Sequence, residues 1–214
     1  MSELLPYSYV SIEGNIGAGK TSLARIFSNR FNTDLVLEEF AENTFLPQFY
    51  ENPERFAFPL EMSFLAERYQ QLKHAQESAK ANGKMLISDY IFEKSLLFAQ
   101  INLSKHELGL FERFYSMIKD SLIRPELVIY LKKSTDQLLI NIEKRGREYE
   151  KSIPASYLDK VSNQYLNHLK TLHHERILII ESDELNFVDD AQQLVFLAEL
   201  AGKNHPKGVH FIKA

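Results

Sequence analysis

The segment Gly14-Asn15-Ile16-Gly17-Ala18-Gly19-Lys20-Thr21 constrains this chain more than any other. The spacing Gly-x-x-x-x-Gly-Lys-Thr suits a backbone that wraps a phosphate with its N–H groups turned inward, and glycine permits the tight approach. Tyr7-Ser8-Tyr9-Val10-Ser11-Ile12, just before it, is rich in strand formers, and a helical stretch from about Lys20 to Arg30 follows. A helix starting there points its positive end at the bound phosphates. Lys20 then brings a point charge to the β- and γ-phosphates of ATP, and Thr21 a hydroxyl for Mg²⁺. The bland alternative, a glycine-rich turn with a surface lysine, has neither the strand before nor the helix after to recommend it.

The rest of the chain repeats this alternation. Short apolar strands are expected at Leu35-Val36-Leu37, Lys84 to Asp89, Glu126 to Leu131 and Arg176 to Ile180. Asn52 and Pro53 can open a helix and Ala81-Asn82-Gly83 can stop it, which implies one long helix or a kinked one. Ser134 and Gln137 form a capping pair for a further helix with inward Leu138, Leu139 and Ile142. Strands alternating with helices predict an α/β fold: three layers, with a parallel sheet covered on both faces. In such sheets ligands sit beyond the carboxyl ends of the strands, so the glycine loop, Glu38 and Asp89 should converge. Residues 209–212 could form an added edge strand or a docked tail.

Composition narrows the partners. With 25 Lys and Arg against 29 Asp and Glu the net charge is -4, which argues against a nucleic-acid polymer. The absence of cysteine excludes disulfides and thiolate metal sites. Met1 to Pro6 lacks the pattern of a signal peptide, and no apolar run reaches the roughly 18 residues of a membrane span. A single domain over 1–214, in the cytoplasm and off the membrane, is the expectation.

Phosphoryl transfer to a hydroxyl needs a proton acceptor and a metal that bridges the transferred charge. Glu38 and Asp89, each following a strand, are the placed carboxylates, with helix capping or ion pairing as the plainer alternative. Glu39 and Glu42 are expected in solvent. Arg145 and Arg147 flank Gly146 in Lys144-Arg145-Gly146-Arg147-Glu148-Tyr149-Glu150, which could fold over a phosphate or serve as a charged helix end.

Together these motifs resemble the deoxynucleoside kinase family. The likeness runs from about Val10 to Asp190 and is carried by Gly-Asn-Ile-Gly-x-Gly-Lys, by Tyr50-Glu51-Asn52-Pro53-Glu54-Arg55-Phe56 and by Arg145-Gly146-Arg147-x-x-Glu150. The resemblance implies a five-stranded parallel sheet in the order 2-3-1-4-5, usually a homodimer. It implies transfer of the γ-phosphate of ATP to the 5′-hydroxyl of a deoxynucleoside. It makes Glu38 the general base, gives Mg²⁺ to Thr21 and Asp89, and lets Lys20, Arg145 and Arg147 stabilise the moving phosphoryl group. Tyr50 and Glu150 would read the deoxyribose, and Asp183 to Phe187 would surround the adenine of ATP.

Three residues depart from the family. Tyr90 stands where the family has an arginine beside the catalytic glutamate; Lys94, about one turn on, could take its place, but an outward, solvated lysine is the first reading of that position. Asn141 stands where an arginine often stacks on the adenine of ATP. Glu61 stands where a glutamine reads the base. Ala57, Phe58, Phe64 and Leu65 surround Glu61 at helical spacing, so its carboxylate should face a pocket or the interior and needs donors there. Ionised, it offers only acceptors, which suits the N1–H and 2-amino group of guanine. A purine preference is the expectation, deoxyguanosine ahead of deoxyadenosine; the plainer alternative pairs Glu61 with Arg68. His173-His174-Glu175 reads as a solvated turn rather than a metal site. Phe111, Phe114 and Tyr115 read as core or dimer contacts. Two rivals stand beside the kinase: a nucleoside monophosphate kinase of thymidylate kinase type, and a catalytically silent nucleotide-binding regulator.

Overall fold

The computed structural model describes residues 5–39 and 43–213; Met1 to Leu4 and Glu42 lie outside them. Six strands are described: β1 (Tyr9–Gly14), β2 (Asp34–Val36), β3 (Leu86–Ser88), β4 (Leu127–Lys132), β5 (Arg176–Glu181) and β6 (Gly208–Lys213). They form one sheet in the order β2-β3-β1-β4-β5-β6, with every neighbouring pair parallel. The helices are α1 (Lys20–Phe31), α2 (Phe45–Glu51), α3 (Pro53–Asn82), α4 (Lys94–Asn102), α5 (Lys105–Ile118), α6 (Thr135–Arg145), α7 (Ala155–Leu169) and α8 (Ala191–Ala201).

The expected order 2-3-1-4-5 holds for the first five strands, but the sheet has six, not five. The tail is the edge strand: β6 pairs with β5 over six positions, and the Gly208 N–H donates to the Glu175 carbonyl at 2.7 Å. Its side chains are only half covered, so the segment lacks the solid apolar run that marks a buried parallel strand.

Alternation along the strands builds apolar packing on each face of the sheet. Val10, Ile12, Leu127, Ile129, Leu131, Leu178 and Ile180 pack with Leu23 and Phe27 of α1, Leu138 and Ile142 of α6 and Leu197 of α8. On the opposite face Val128, Tyr130, Ile177 and Ile179 meet Leu97 of α4 and Val161 and Tyr165 of α7, while Tyr9 and Leu86 meet Leu65 and Leu72 of α3 and Phe111 of α5. The three expected layers follow. Phe111 and Tyr115 are core residues, whereas Phe114 on the same helix is exposed. The Glu175 carboxylate, beside the two histidines, is paired with Arg124.

The long helix is unbroken. Asn52 caps α3 by accepting from the Arg55 N–H, Pro53 fills the first turn, and Gly83 ends the helix with a left-handed φ of 62°. Pro59 lies inside α3 without ending it.

Candidate active site

β1 ends in the glycine loop, and α1 starts at Lys20. Gly17 has φ +83°, and a Cβ there would sit 2.8 Å from the Leu138 carbonyl oxygen, so no larger residue fits without moving α6. Gly19, the residue before α1, has φ 93°. The Asn15 side chain turns away from the loop's concavity: its amide donates to the Leu158 carbonyl and to Ser162 Oγ, both at 2.7 Å, tying the loop to α7. Ala18 is fully buried, and Ile16 packs against the same core. Lys20 donates to the Asn15 carbonyl at 2.9 Å. Burial, and then repulsion from Lys94, bring its ammonium down to about 8.

The glycine loop, Glu38 and Asp89 do converge. Asp89, at the end of β3, accepts from Thr21 Oγ1 at 2.5 Å on one oxygen and from the Glu38 N–H at 2.7 Å on the other. Thr21 and Asp89 thus set two oxygens side by side next to the phosphate loop. A hard cation such as Mg²⁺ fits such a set, since it takes few protein oxygens and completes its shell with phosphate and water. Glu39 is exposed, as expected.

Two cations grip Glu38. Arg68 Nε reaches its Oε1 at 2.8 Å, and Lys94 Nζ reaches its Oε2 at 2.5 Å. Burial pushes this carboxyl up, but Lys94 and Arg68 together overcome that effect and bring it down to about 2. Arg68 also donates to Ser95 Oγ at 2.9 Å, and it makes no hydrogen bond to Glu61. Tyr90 points the other way. It is fully buried in the core beneath α3 and α5, and its hydroxyl donates to Gln71 Oε1 at 2.9 Å. Lys94, itself buried, therefore occupies the neighbourhood of Glu38 that position 90 leaves.

Sequence reading missed Glu13. It is fully buried in β1, where its Oε1 accepts from the Ile91 N–H at 2.8 Å and its Oε2 from the Gly14 N–H at 3.1 Å. One carboxylate thus fixes the start of the glycine loop against the turn that carries Asp89. Burial raises its carboxyl, opposed by Lys94 and Lys20. The available signal was an acid inside an apolar strand directly before the first glycine.

Gly146 ends α6, and beyond it Glu150, buried, accepts from both Arg145 and Arg147, the latter at 3.1 Å. The Tyr50 ring stacks on Tyr149 with centroids 6.2 Å apart. Tyr50, Glu61, Glu150, Glu38 and Lys20 line one cavity between α3, α4 and this loop. Inside it Glu61 is 1% exposed; its Oε1 accepts from Asn102 Nδ2 at 2.7 Å, and its Oε2 has no partner. Burial raises this carboxyl to about 7.

A second cleft of about 810 Å³ opens on the other side of Lys20 and Thr21 and is lined by Gly17, Lys133, Asn141, Asp183 and Phe187. Asp183 accepts from the Ser134 N–H at 2.7 Å. Phe187 is buried and packs its ring edge over Gly19. Asn141 donates to the Gly17 carbonyl at 2.8 Å, so its short amide braces the loop where the family resemblance has an arginine. Lys20, Thr21, Glu38, Arg145 and Arg147 border both hollows, the geometry needed to pass a phosphoryl group from one to the other.

The family model for deoxynucleoside kinase matches residues 10–201. A deoxyguanosine kinase of Bacillus subtilis (strain 168) is 38% identical over 184 residues, which cover 84% of this chain and 89% of that protein. A deoxyadenosine kinase of Dictyostelium discoideum is 28% identical over 187 residues, covering 86% of this chain and 76% of that one. Among solved structures, deoxyadenosine kinase from M. mycoides with bound dATP is similar in fold, with a TM-score of 0.77 at 23% identity over 91% of this chain and 100% of that one. With its phosphate loop, buried carboxylates and arginine pair set as described, the chain belongs to the deoxynucleoside kinase family.

Proposed function

We propose that this deoxynucleoside kinase prefers purine deoxynucleosides, with deoxyguanosine ahead of deoxyadenosine, and acts with Mg²⁺ as a single cytoplasmic domain in a homodimer. The observation that carries the base preference is the unpartnered Oε2 of Glu61, a buried acceptor in the wall of the inner cavity. Guanine offers two adjacent donors to such a group. The 38% identical relative, a deoxyguanosine kinase, agrees with this reading. Exposed Phe114 and Met117 on α5 supply apolar surface of the kind a dimer covers.

In this reading ATP lies in the outer cleft, its phosphates in the loop from Gly14 to Thr21, with Asp183 and Phe187 at the adenine end. The nucleoside lies in the inner cavity, its sugar held by Tyr50 and Glu150. Thr21 and Asp89 would hold Mg²⁺, which would supply positive charge to the phosphates of ATP. Glu38 orients the 5′-hydroxyl and takes its proton. A carboxyl near 2 is a weak base, which suffices because the transferring phosphoryl passes through a loose transition state that asks little of the nucleophile until late. Arg68 and Lys94 hold Glu38 in place, and Lys94 does so in lieu of the arginine that position 90 lacks. Lys20, Arg145 and Arg147 stabilise the moving phosphoryl group, which requires the two arginines to exchange Glu150 for phosphate oxygens.

The test is transfer of labelled γ-phosphate from ATP to a panel of deoxynucleosides and their monophosphates. Labelled deoxyguanosine monophosphate as the main product is the expected result. Strong preference for a pyrimidine sinks the base assignment. Transfer to the monophosphate acceptors alone, giving labelled diphosphates, would favour the thymidylate kinase type, and ATP binding without product would favour a silent regulator.

A further inference from the structure

The inner cavity holds one buried polar atom without a partner, Glu61 Oε2, and a neighbour that decides what that atom can be. Asn102, the last residue of α4, donates its amide N–H to Glu61 Oε1 at 2.7 Å. Oε1 must therefore accept whether or not the carboxyl carries a proton. When Glu61 is protonated, the proton is left to Oε2. A single oxygen thus changes from acceptor to donor on protonation, with Asn102 fixing which oxygen it is.

Purines differ at the matching atom. N1 of guanine carries a hydrogen and must donate; N1 of adenine is bare and must accept. An ionised Oε2 complements guanine and leaves adenine with two facing lone pairs. A protonated Oε2 complements adenine and clashes with the N1–H of guanine. Resting on the purine-kinase reading above, we propose that Glu61 and Asn102 form a proton-gated base reader, in which the charge state of Glu61 selects between deoxyguanosine and deoxyadenosine.

The surroundings set this switch near neutrality. Burial raises the carboxyl to about 7, against Arg68 on its own helix and the Asn102 hydrogen bond, with Glu38 raising it and Lys94 of α4 lowering it. Tyr157 of α7 also lines this cavity, and burial holds its phenol neutral across this range. Lys20, on the wall of the same cavity, also titrates in this range, near 8, but it acts on the phosphates common to both purines.

The experiment is competition between deoxyguanosine and deoxyadenosine in one vessel, which cancels every pH effect common to both, including effects on ATP, metal and Glu38. The ratio of their kcat/KM values should rise by about ten-fold or more from about pH 6 to about pH 8, because a group near 7 changes from mostly protonated to mostly ionised. Glu61→Gln, which cannot ionise, should make the ratio flat. Asn102→Ala removes a contact that favours the ionised form, so the midpoint of the rise should move to higher pH, while thermal melting confirms that the variant is folded. A wild-type ratio that stays constant while both purines are phosphorylated overturns the proton gate. A midpoint unmoved in folded Asn102→Ala overturns the part assigned to Asn102. If neither purine is phosphorylated at any pH, the purine reading itself fails, and the gate with it.

Discussion

Lys94 Nζ lies 2.5 Å from Glu38 Oε2, on the side opposite to the oxygen that Arg68 holds. The carboxylate is thus fixed at both oxygens by cations from two helices, which leaves it one orientation. Lys94→Met should lower kcat by about 10²–10³-fold with a smaller change in KM, because Glu38 is then oriented by Arg68 alone. Lys94→Arg should recover much of this, since a guanidinium can reach the same oxygen. Steady-state kinetics on both variants decide the matter; equal loss in the two would mean that the site needs a lysine rather than a charge.

Returning the family arginine to position 90 should do harm. Tyr90 is fully buried in the core beneath α3 and α5, where a guanidinium would stand among apolar side chains. Tyr90→Arg should cost more than about 3 kcal/mol of stability and should leave Lys94→Met unrescued. Chemical denaturation and the activity of the double variant measure both effects.

A basic limb should appear in the rate. Lys20 sits near 8 because of burial and the charge of Lys94, and only its protonated form attracts phosphate. Below about 8 the charge is present; above it the charge is lost, so kcat/KM for ATP should fall as pH rises through that value. Removing the charge at 94 should move this limb to higher pH. A limb that stays put in Lys94→Met would separate the two lysines.

Asp89→Asn should raise the Mg²⁺ concentration needed for half-maximal rate by about 10–100-fold, with Thr21→Ala smaller in effect. Titration of the metal at saturating ATP reads this directly. If the requirement is unchanged, Asp89 serves only to hold Thr21 and Glu38.

Gly17→Ala should raise KM for ATP at least about ten-fold, since its φ of +83° and the Leu138 oxygen at 2.8 Å leave no place for a methyl group. Nucleoside binding should change little. An unaltered KM would mean that α6 yields more easily than its packing suggests.

Much of this site could be read from the chain because its parts obey local rules. The glycine loop has a fixed spacing, and Glu38 and Asp89 follow strands that end at the same edge. The long helix α3 is announced by Asn52 and Pro53 at one end and Gly83 at the other. What escaped depends on directions that no spacing encodes. Tyr90 follows Asp89 immediately, yet one faces the core and the other the phosphate loop, since successive residues leave a strand end on opposite sides. Arg68 could have met either Glu61 or Glu38, both acids within reach of its long side chain, and only the packing of α3 on the sheet chose Glu38. Glu13 was passed over because an acid at a strand's end looks like the border of solvent. β6 was hard to read because an edge strand is half wet and lacks a buried strand's pattern.

Glu61 and Arg68 lie on the same helix, seven positions apart, which is close to two turns and about 10 Å of axial rise. One helix therefore carries both Glu61, proposed to meet the base, and Arg68, which steadies Glu38, the proposed proton acceptor. A nucleoside whose base displaces Glu61 presses on the lever that sets Glu38, so an ill-fitting substrate can bind and still react slowly. In this enzyme discrimination between bases should be written chiefly in turnover, with affinity a poor guide to which nucleoside it serves.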